Sequence, residues 1–180
     1  MEFQKVIETR RSVRKYDGEK KVSKDMVIEL IEAAVLAPSW KNSQTARYYC
    51  VMSEDGMERF ERECLPEFNA KNSSGASALI VTAYKKNVAG FAPDFETPSN
   101  ELGNGWGIYD LGLQNQNLVL KAADMGLSTL IMGIRDADKI RRMLDIPEDE
   151  QIVAVIAVGY GADTPKRPAR KSVEEIAEFF

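Results

Sequence analysis

The chain has 180 residues, of which 44% are hydrophobic, and this is enough for the core of one domain of ordinary size. Its 24 Lys and Arg are outnumbered by 28 Asp and Glu, and the net charge of −4 argues against a nucleic-acid-binding protein. The chain has no histidine and two cysteines, which excludes Ser-His and Cys-His nucleophiles, the commonest metal ligand and a disulfide framework. We therefore expect any enzymatic chemistry to be carried by a bound cofactor, without a metal.

The sequence contains no recognisable targeting or membrane segment. Residues 1–14 lack the continuous apolar core of a signal peptide. No apolar run approaches the roughly 18 residues that a transmembrane helix needs. We expect a cytoplasmic protein with one domain over residues 1–180. Cys50 lies in an apolar run and is expected to be a small buried side chain.

The first half of the chain predicts three helices and two strands. Residues 2–9 form a short helix, and Ser23 caps a second helix that Pro38 ends. The apolar stripe of this second helix consists of Val27, Leu30, Ile31, Ala34 and Val35. The elements that follow are a strand over Arg47–Met52, a charged surface helix over Asp55–Cys64 and a central strand over Ala78–Tyr84 with apolar residues on both faces.

A long loop separates the two halves of the chain. It covers residues 86–105, and a loop of this length in a compact domain is typically functional. Trp106–Met125 then predicts a helix that is apolar on nearly all sides, which indicates burial in a core or an interface, and Gly126 ends it. The last elements are a strand over Ser128–Met132, a short helix capped by Asp136 and ending at Leu144, a buried strand over Ile152–Val158 and a short helix from Ser172. Helices and strands do not alternate regularly, which favours an α+β fold.

Basic residues are concentrated near the two ends of the chain. Residues 10–24 contain seven Lys and Arg, and residues 166–171 contain four. In an extended Arg10–Arg14 stretch (RRSVR), side chains alternate, so Arg10, Ser12 and Arg14 point to one side and suit a phosphate bound by two guanidinium groups. A solvated basic edge and a nucleic-acid contact are the alternatives. If the termini fold together, both clusters could surround one anion.

Four sequence blocks, in this order, resemble the FMN-dependent nitroreductase family. They are Arg10–Arg14, Ala37–Gln44 (APSWKNSQ), the passage from Gln116 to Gly133, and Val158–Tyr160 followed by the basic tail. Together they span residues 10–171. The resemblance implies a nitroreductase-like three-layer α+β fold, with a mixed, mainly antiparallel central sheet, helices on both faces and an intertwined homodimer.

The same resemblance implies an FMN site at the dimer interface, with two FMN per dimer. The residues that would hold the FMN phosphate and ribityl chain are Arg10, Arg11, Ser12 and Arg14. The basic tail would complete this pocket, and Arg170 matches the family pattern best. Because Pro168 stands where relatives often carry a lysine, Lys166 or Arg167 would supply the second tail contact.

The other implied contacts involve the ribityl chain and the flavin ring. A loop that reaches the flavin from the partner subunit would contribute Pro38, Ser39, Asn42 and Gln44. Asn69 and Asn72 would lie at the pyrimidine edge of the ring, and Asn72 stands where larger relatives often have a lysine. Met132 and Gly133 would end the set, because a residue without a side chain lets its backbone approach flavin N5.

The activity that the resemblance implies is ping-pong hydride transfer. NADH or NADPH would reduce the flavin at N5, and a nitroaromatic, quinone or similar small-molecule acceptor would then reoxidise it. No side chain needs to act as an acid or base, so no catalytic residue is assigned and positioning would carry the rate. Two alternatives stay open: a reductive dehalogenase or enoate reductase, with residues 86–107 as a substrate lid, and a flavin-binding protein without turnover. No membrane or nucleic-acid partner is expected.

Overall fold

A four-stranded antiparallel sheet forms the centre of the protein, whose computed structural model describes residues 2–180. The strands, in the spatial order β1-β2-β4-β3, are β1 (Ala46–Val51), β2 (Ala78–Lys85), β3 (Ser128–Met132) and β4 (Glu150–Gly159). Every residue of β2 except Lys85 is buried, because β2 lies between β1 and β4 and has a helical layer on each face. The predicted central strand is confirmed.

Helices cover both faces of this sheet. Those within residues 2–180 are α1 (Phe3–Thr9), α2 (Lys24–Val35), α3 (Glu54–Cys64), α4 (Glu67–Ser73), α5 (Gly105–Asp124) and α6 (Ala137–Leu144). Helices α2 and α5 pack on the face that carries Ile80 and Ile156, and α3 and α6 pack on the face that carries Leu79 and Val155. The predicted three-layer α+β fold is therefore confirmed. The one parallel pairing described is an isolated bridge between Ser12 and Thr129.

Local signals set the helix ends where the sequence predicts them. The Ser23 side chain accepts a hydrogen bond from Met26 N at the start of α2, and Asp136 accepts one from Lys139 N at the start of α6. Gly126, at φ 75°, lies in the left-handed region that ends α5. No helix of residues 2–180 is long and apolar enough to cross a membrane.

Two local expectations are wrong, and one helix of the structure is not predicted. Cys50 is exposed, because side chains alternate along the edge strand β1 and its neighbour Val51 takes the inward position. The tail after Ser172 forms one turn, closed by Ile176 N donating to Val173 O, because so short a segment has no packed face to stabilise a helix. Helix α4 was not predicted, since its residues show no apolar periodicity.

Candidate functional site

Backbone hydrogen bonds bring the two ends of the chain together. Val13 N donates to Thr129 O of β3 at 3.0 Å, and Ala162 N donates to Lys15 O at 2.9 Å. Val13 is buried, so the residues on either side of it in the RRSVR motif face away from the core. The N-terminal basic cluster therefore lies beside the start of the basic tail.

A cavity of about 300 Å³ lies between the two basic clusters. Its lining consists of Ile7, Arg10, Arg11, Ser12, Arg14, Gln116, Pro165, Lys166, Arg167, Pro168 and Arg170. None of these residues is acidic, and within the described chain none of these cations forms an ion pair. On the question of the second tail contact, Lys166 and Arg167 both line the cavity with Arg170.

The electrostatics of this cavity favour an anion. Burial, and then the positive charges of Arg170 and Arg11, lower the pKa of Arg10. The Nε atom of Arg11 is buried without a hydrogen-bond partner, while its Nη1 donates to the carbonyl oxygens of Glu8 and Arg10. A bound phosphate would offset this mutual repulsion and accept several charge-assisted hydrogen bonds.

An open space lies in front of Gly133, at the end of β3. The Met132 side chain is buried in the core, so only its backbone can face a ligand. A Cβ atom added at Gly133 would meet no atom within 4 Å, and its φ is outside the left-handed region. Nothing within the chain therefore requires glycine at this position. A ligand could therefore approach this backbone without meeting a side chain of Gly133.

Helix α4 brings one of the two predicted asparagines to this strand end. Asn69 is buried, and its Nδ2 donates to Ile134 O at 2.8 Å. Asn72 is half-buried one turn further along α4. The amide of Asn69 thus holds the backbone beside Gly133.

The loop between α2 and β1 has a strained backbone. Three of its residues have positive φ angles, namely Lys41 (46°), Asn42 (56°) and Gln44 (49°). The Ser39 hydroxyl accepts a hydrogen bond from Gln44 N, and Asp110 Oδ2 of α5 accepts one from Trp40 N at 2.9 Å. Burial raises the pKa of Asp110, and the Trp40 N–H lowers it in part. Strain of this kind is characteristic of functional loops.

This strained loop does not reach the basic cavity within one chain. Pro38, Asn42 and Gln44 are exposed, Ser39 is half-buried, and none of the four lines the cavity of Arg10. The described chain therefore places the predicted site residues in three groups, at the cavity, at the end of β3 and in the α2–β1 loop, and Asn72 on α4 belongs to none of them.

Residues 86–104 have no helix or strand, as predicted, and Trp106, which follows them in α5, contacts the α2–β1 loop. The ring centroids of Trp40 and Trp106 are 4.6 Å apart. Trp106 Nε1 donates to Asn100 Oδ1 at 2.9 Å, which ties the long loop to the start of α5. Phe91 is half-buried, and Phe95 is exposed at a φ of 59°.

Two residues that hydrogen-bond to these groups, Asp110 and Arg135, are not predicted from the sequence. Asp110 is the one acidic residue in the first nineteen positions of α5, next to apolar Tyr109 and Leu111, and that contrast is a signal that could have found it. Arg135 donates from Nη1 to Gly133 O and from Nη2 to Ile152 O. It carries no local signal, because Ile152 belongs to a distant strand.

Proteins of one family resemble this chain in sequence and in fold. The model of the nitroreductase family matches residues 7–160. The Bacillus subtilis protein YdgI, named as an NAD(P)H nitroreductase, is 25% identical, and the alignment covers 99% of this chain and 97% of YdgI. A structure from Exiguobacterium sibiricum, described as a nitroreductase in complex with FMN, has a TM-score of 0.88 at 24% identity and covers 100% of this chain and 98% of that one. A structure described as an oxidoreductase containing FMN has a TM-score of 0.74 at 27% identity, with 88% and 76% covered. The chain belongs to the nitroreductase family.

Proposed function

We propose that the protein is an FMN-dependent NAD(P)H oxidoreductase of nitroreductase type, which reduces nitroaromatic, quinone or similar small-molecule acceptors. The observation that carries this proposal is the acid-free cavity between the RRSVR motif and the basic tail. Its donors and its charge suit the phosphate of FMN. The name of YdgI and the FMN-containing neighbours support the same reading.

The chain's own residues bind and orient the cofactor. Arg10, Arg14 and Arg170 neutralise the phosphate, and Ser12 offers a hydroxyl at the same cavity. Gly133 leaves room for the ring at the other end of the site. When bound, FMN supplies hydride transfer through its N5 atom, first from NADH or NADPH and then to the acceptor, in a ping-pong sequence. The cavity lining contains no histidine, cysteine or carboxylate, so we assign no acid or base there, and the rate depends on how the reactants are positioned.

We also propose that the protein is a homodimer. Helix α5 exposes Ile108 and Tyr109, which are 49% and 59% accessible, and Gly112 lies on the same face. A Cβ atom at Gly112 would meet nothing within 4 Å. Glycine inside a helix costs about 1 kcal/mol relative to alanine, and a second helix packed closely on this face would explain it. A partner copy would also bring the Pro38–Gln44 loop to the basic cavity.

Replacing Gly112 by tryptophan is expected to separate the subunits, because a large side chain would block close packing on this face of α5. Light scattering after gel filtration should give the mass of two chains for the wild type and of one chain for Gly112→Trp, with FMN lost. The control is Glu58→Trp, at an exposed position on α3. A Gly112→Trp protein that stays dimeric and keeps its FMN contradicts the proposed interface.

Anaerobic reduction tests the proposed activity. NADH or NADPH should bleach the absorbance of the bound flavin, and a quinone or nitroarene should then restore it with catalytic turnover. If the flavin stays oxidised with both donors, the proposed activity is wrong and the protein is a flavin-binding protein without turnover. Reoxidation that requires an enone or a halogenated substrate, with quinones and nitroarenes inactive, would instead favour the enoate reductase or dehalogenase alternative.

A further inference from the structure

Side chains donate hydrogen bonds to the carbonyl oxygens of Gly133 and Ile134, the two residues that directly follow β3. Asn69 Nδ2 donates to Ile134 O at 2.8 Å, and Arg135 Nη1 donates to Gly133 O at 3.2 Å. The same guanidinium is anchored on β4, because its Nη2 donates to Ile152 O at 2.7 Å. Since peptide units are planar, fixing these two carbonyls also fixes the direction of the N–H groups that follow them.

Burial and backbone hydrogen bonds restrict the groups that hold Gly133 and Ile134 in place. Asn69 is only 6% exposed, so its amide has little freedom to turn toward a ligand. Asp136 N donates to Cys64 O at 2.8 Å and secures the end of the segment before α6 begins. Residues 133–136 have no regular secondary structure, yet they are tied to α4, to β4 and to the end of α3.

The chain gives Gly133 no packing neighbour of its own. The space in front of it is open, and the residue is exposed. An exposed strand end of this kind is normally free to move. Three separate tethers at such a place indicate that the position of this backbone matters for what approaches it.

We propose that Asn69 and Arg135 are positioning residues, which hold the Gly133–Ile134 backbone against the flavin ring at the geometry that hydride transfer requires. The inference rests on the proposed function, and it assigns Asn69 a role through Ile134 rather than a direct contact with the pyrimidine edge. A displacement of about 1 Å at a reacting centre can cost on the order of 100-fold in rate. A small movement of the Gly133–Ile134 backbone is therefore expected to lower the rate of hydride transfer strongly.

Two variants and one matched control test the inference. Asn69→Leu removes the donor at similar size, and Arg135→Lys removes the planar fork that spans two carbonyls. The control is Ser73→Ala, which removes another hydrogen bond of α4, from Ser73 Oγ to Glu61 at 2.7 Å, without touching Gly133. Amide hydrogen exchange of residues 132–136 is measured in the full-length protein with and without FMN, together with the flavin midpoint potential and single-turnover reduction by NADH.

Both variants are expected to exchange about tenfold faster in residues 132–136, in line with the loss of one buried hydrogen bond. Flavin reduction should slow about tenfold and the midpoint potential should shift, while FMN remains bound. Ser73→Ala should match the wild type in all of these measurements. If Asn69→Leu does not fold, Arg135→Lys carries the same test.

The outcomes separate the two proposals. A wild-type protein that binds no FMN overturns the proposed function and this inference with it. If the wild type binds and reduces FMN, but the variants keep wild-type exchange, potential and reduction rate, only the positioning role is wrong. Equal effects in Ser73→Ala would also overturn it, because they would show that general loosening of α4 is sufficient.

Discussion

Replacing Arg14 and Arg170 together by alanine is expected to raise the Kd for FMN by at least about 100-fold, since each charge-assisted hydrogen bond contributes roughly 1.5–3 kcal/mol. Both side chains line the basic cavity, and no carboxylate within residues 2–180 neutralises either of them. The measurement is fluorescence titration of the flavin-free protein with FMN.

The charge-matched control for this variant is Lys21→Ala combined with Lys24→Ala. Both lysines are exposed, and neither lines the cavity. This control should bind FMN as the wild type does, apart from a small long-range effect that salt screens. If the two double variants lose the same amount of affinity, net charge and not the cavity determines binding, and the assignment of the phosphate pocket is wrong.

Replacing Gly133 by valine is expected to abolish productive use of the flavin while leaving the fold intact. A Cβ atom at this position would meet no atom within 4 Å, so the free energy of unfolding of the flavin-free variant should lie within about 0.5 kcal/mol of the wild-type value. The branched side chain would occupy the space that the ring needs, and we expect FMN reduction by NADH to fall on the order of 100-fold or more. Thermal melts of the flavin-free protein and stopped-flow reduction measure the two effects.

Gly133→Ala provides the graded comparison, because it adds a single methyl group. Its reduction rate should fall between those of the wild type and Gly133→Val. Wild-type reduction rates in Gly133→Val would contradict an approach of the ring to this backbone. A large loss of stability in the flavin-free protein would instead mean that glycine is needed for the fold.

The fold could be predicted where single residues or short sequence patterns determine the local structure. Ser23 and Asp136 cap their helices, Gly126 takes the left-handed conformation that ends α5, and the continuous apolar run of β2 marks a strand covered on both sides. Helix α4 had no such pattern. It depends on contacts such as that between Ser73 and Glu61, which lie outside its own sequence.

The candidate site, too, is only partly predictable from the sequence. Its two basic clusters are recognisable as concentrations of Lys and Arg, and the resemblance of the RRSVR motif to a family predicts a phosphate at Arg10 and Arg14. That Lys166 and Arg167 both line the cavity depends on the path of the tail, which no local pattern reveals. Arg135 is similar, because its carbonyl partner Ile152 is 17 residues away on another strand.

A comparison of FMN with riboflavin is the sharpest test of the claim that the basic cavity binds the phosphate of FMN. The two flavins share the ring and the ribityl chain and differ only in the phosphate. Titration of the flavin-free wild-type protein should give a Kd for FMN at least about 100-fold lower than that for riboflavin. Equal affinities for the two flavins would contradict the claim.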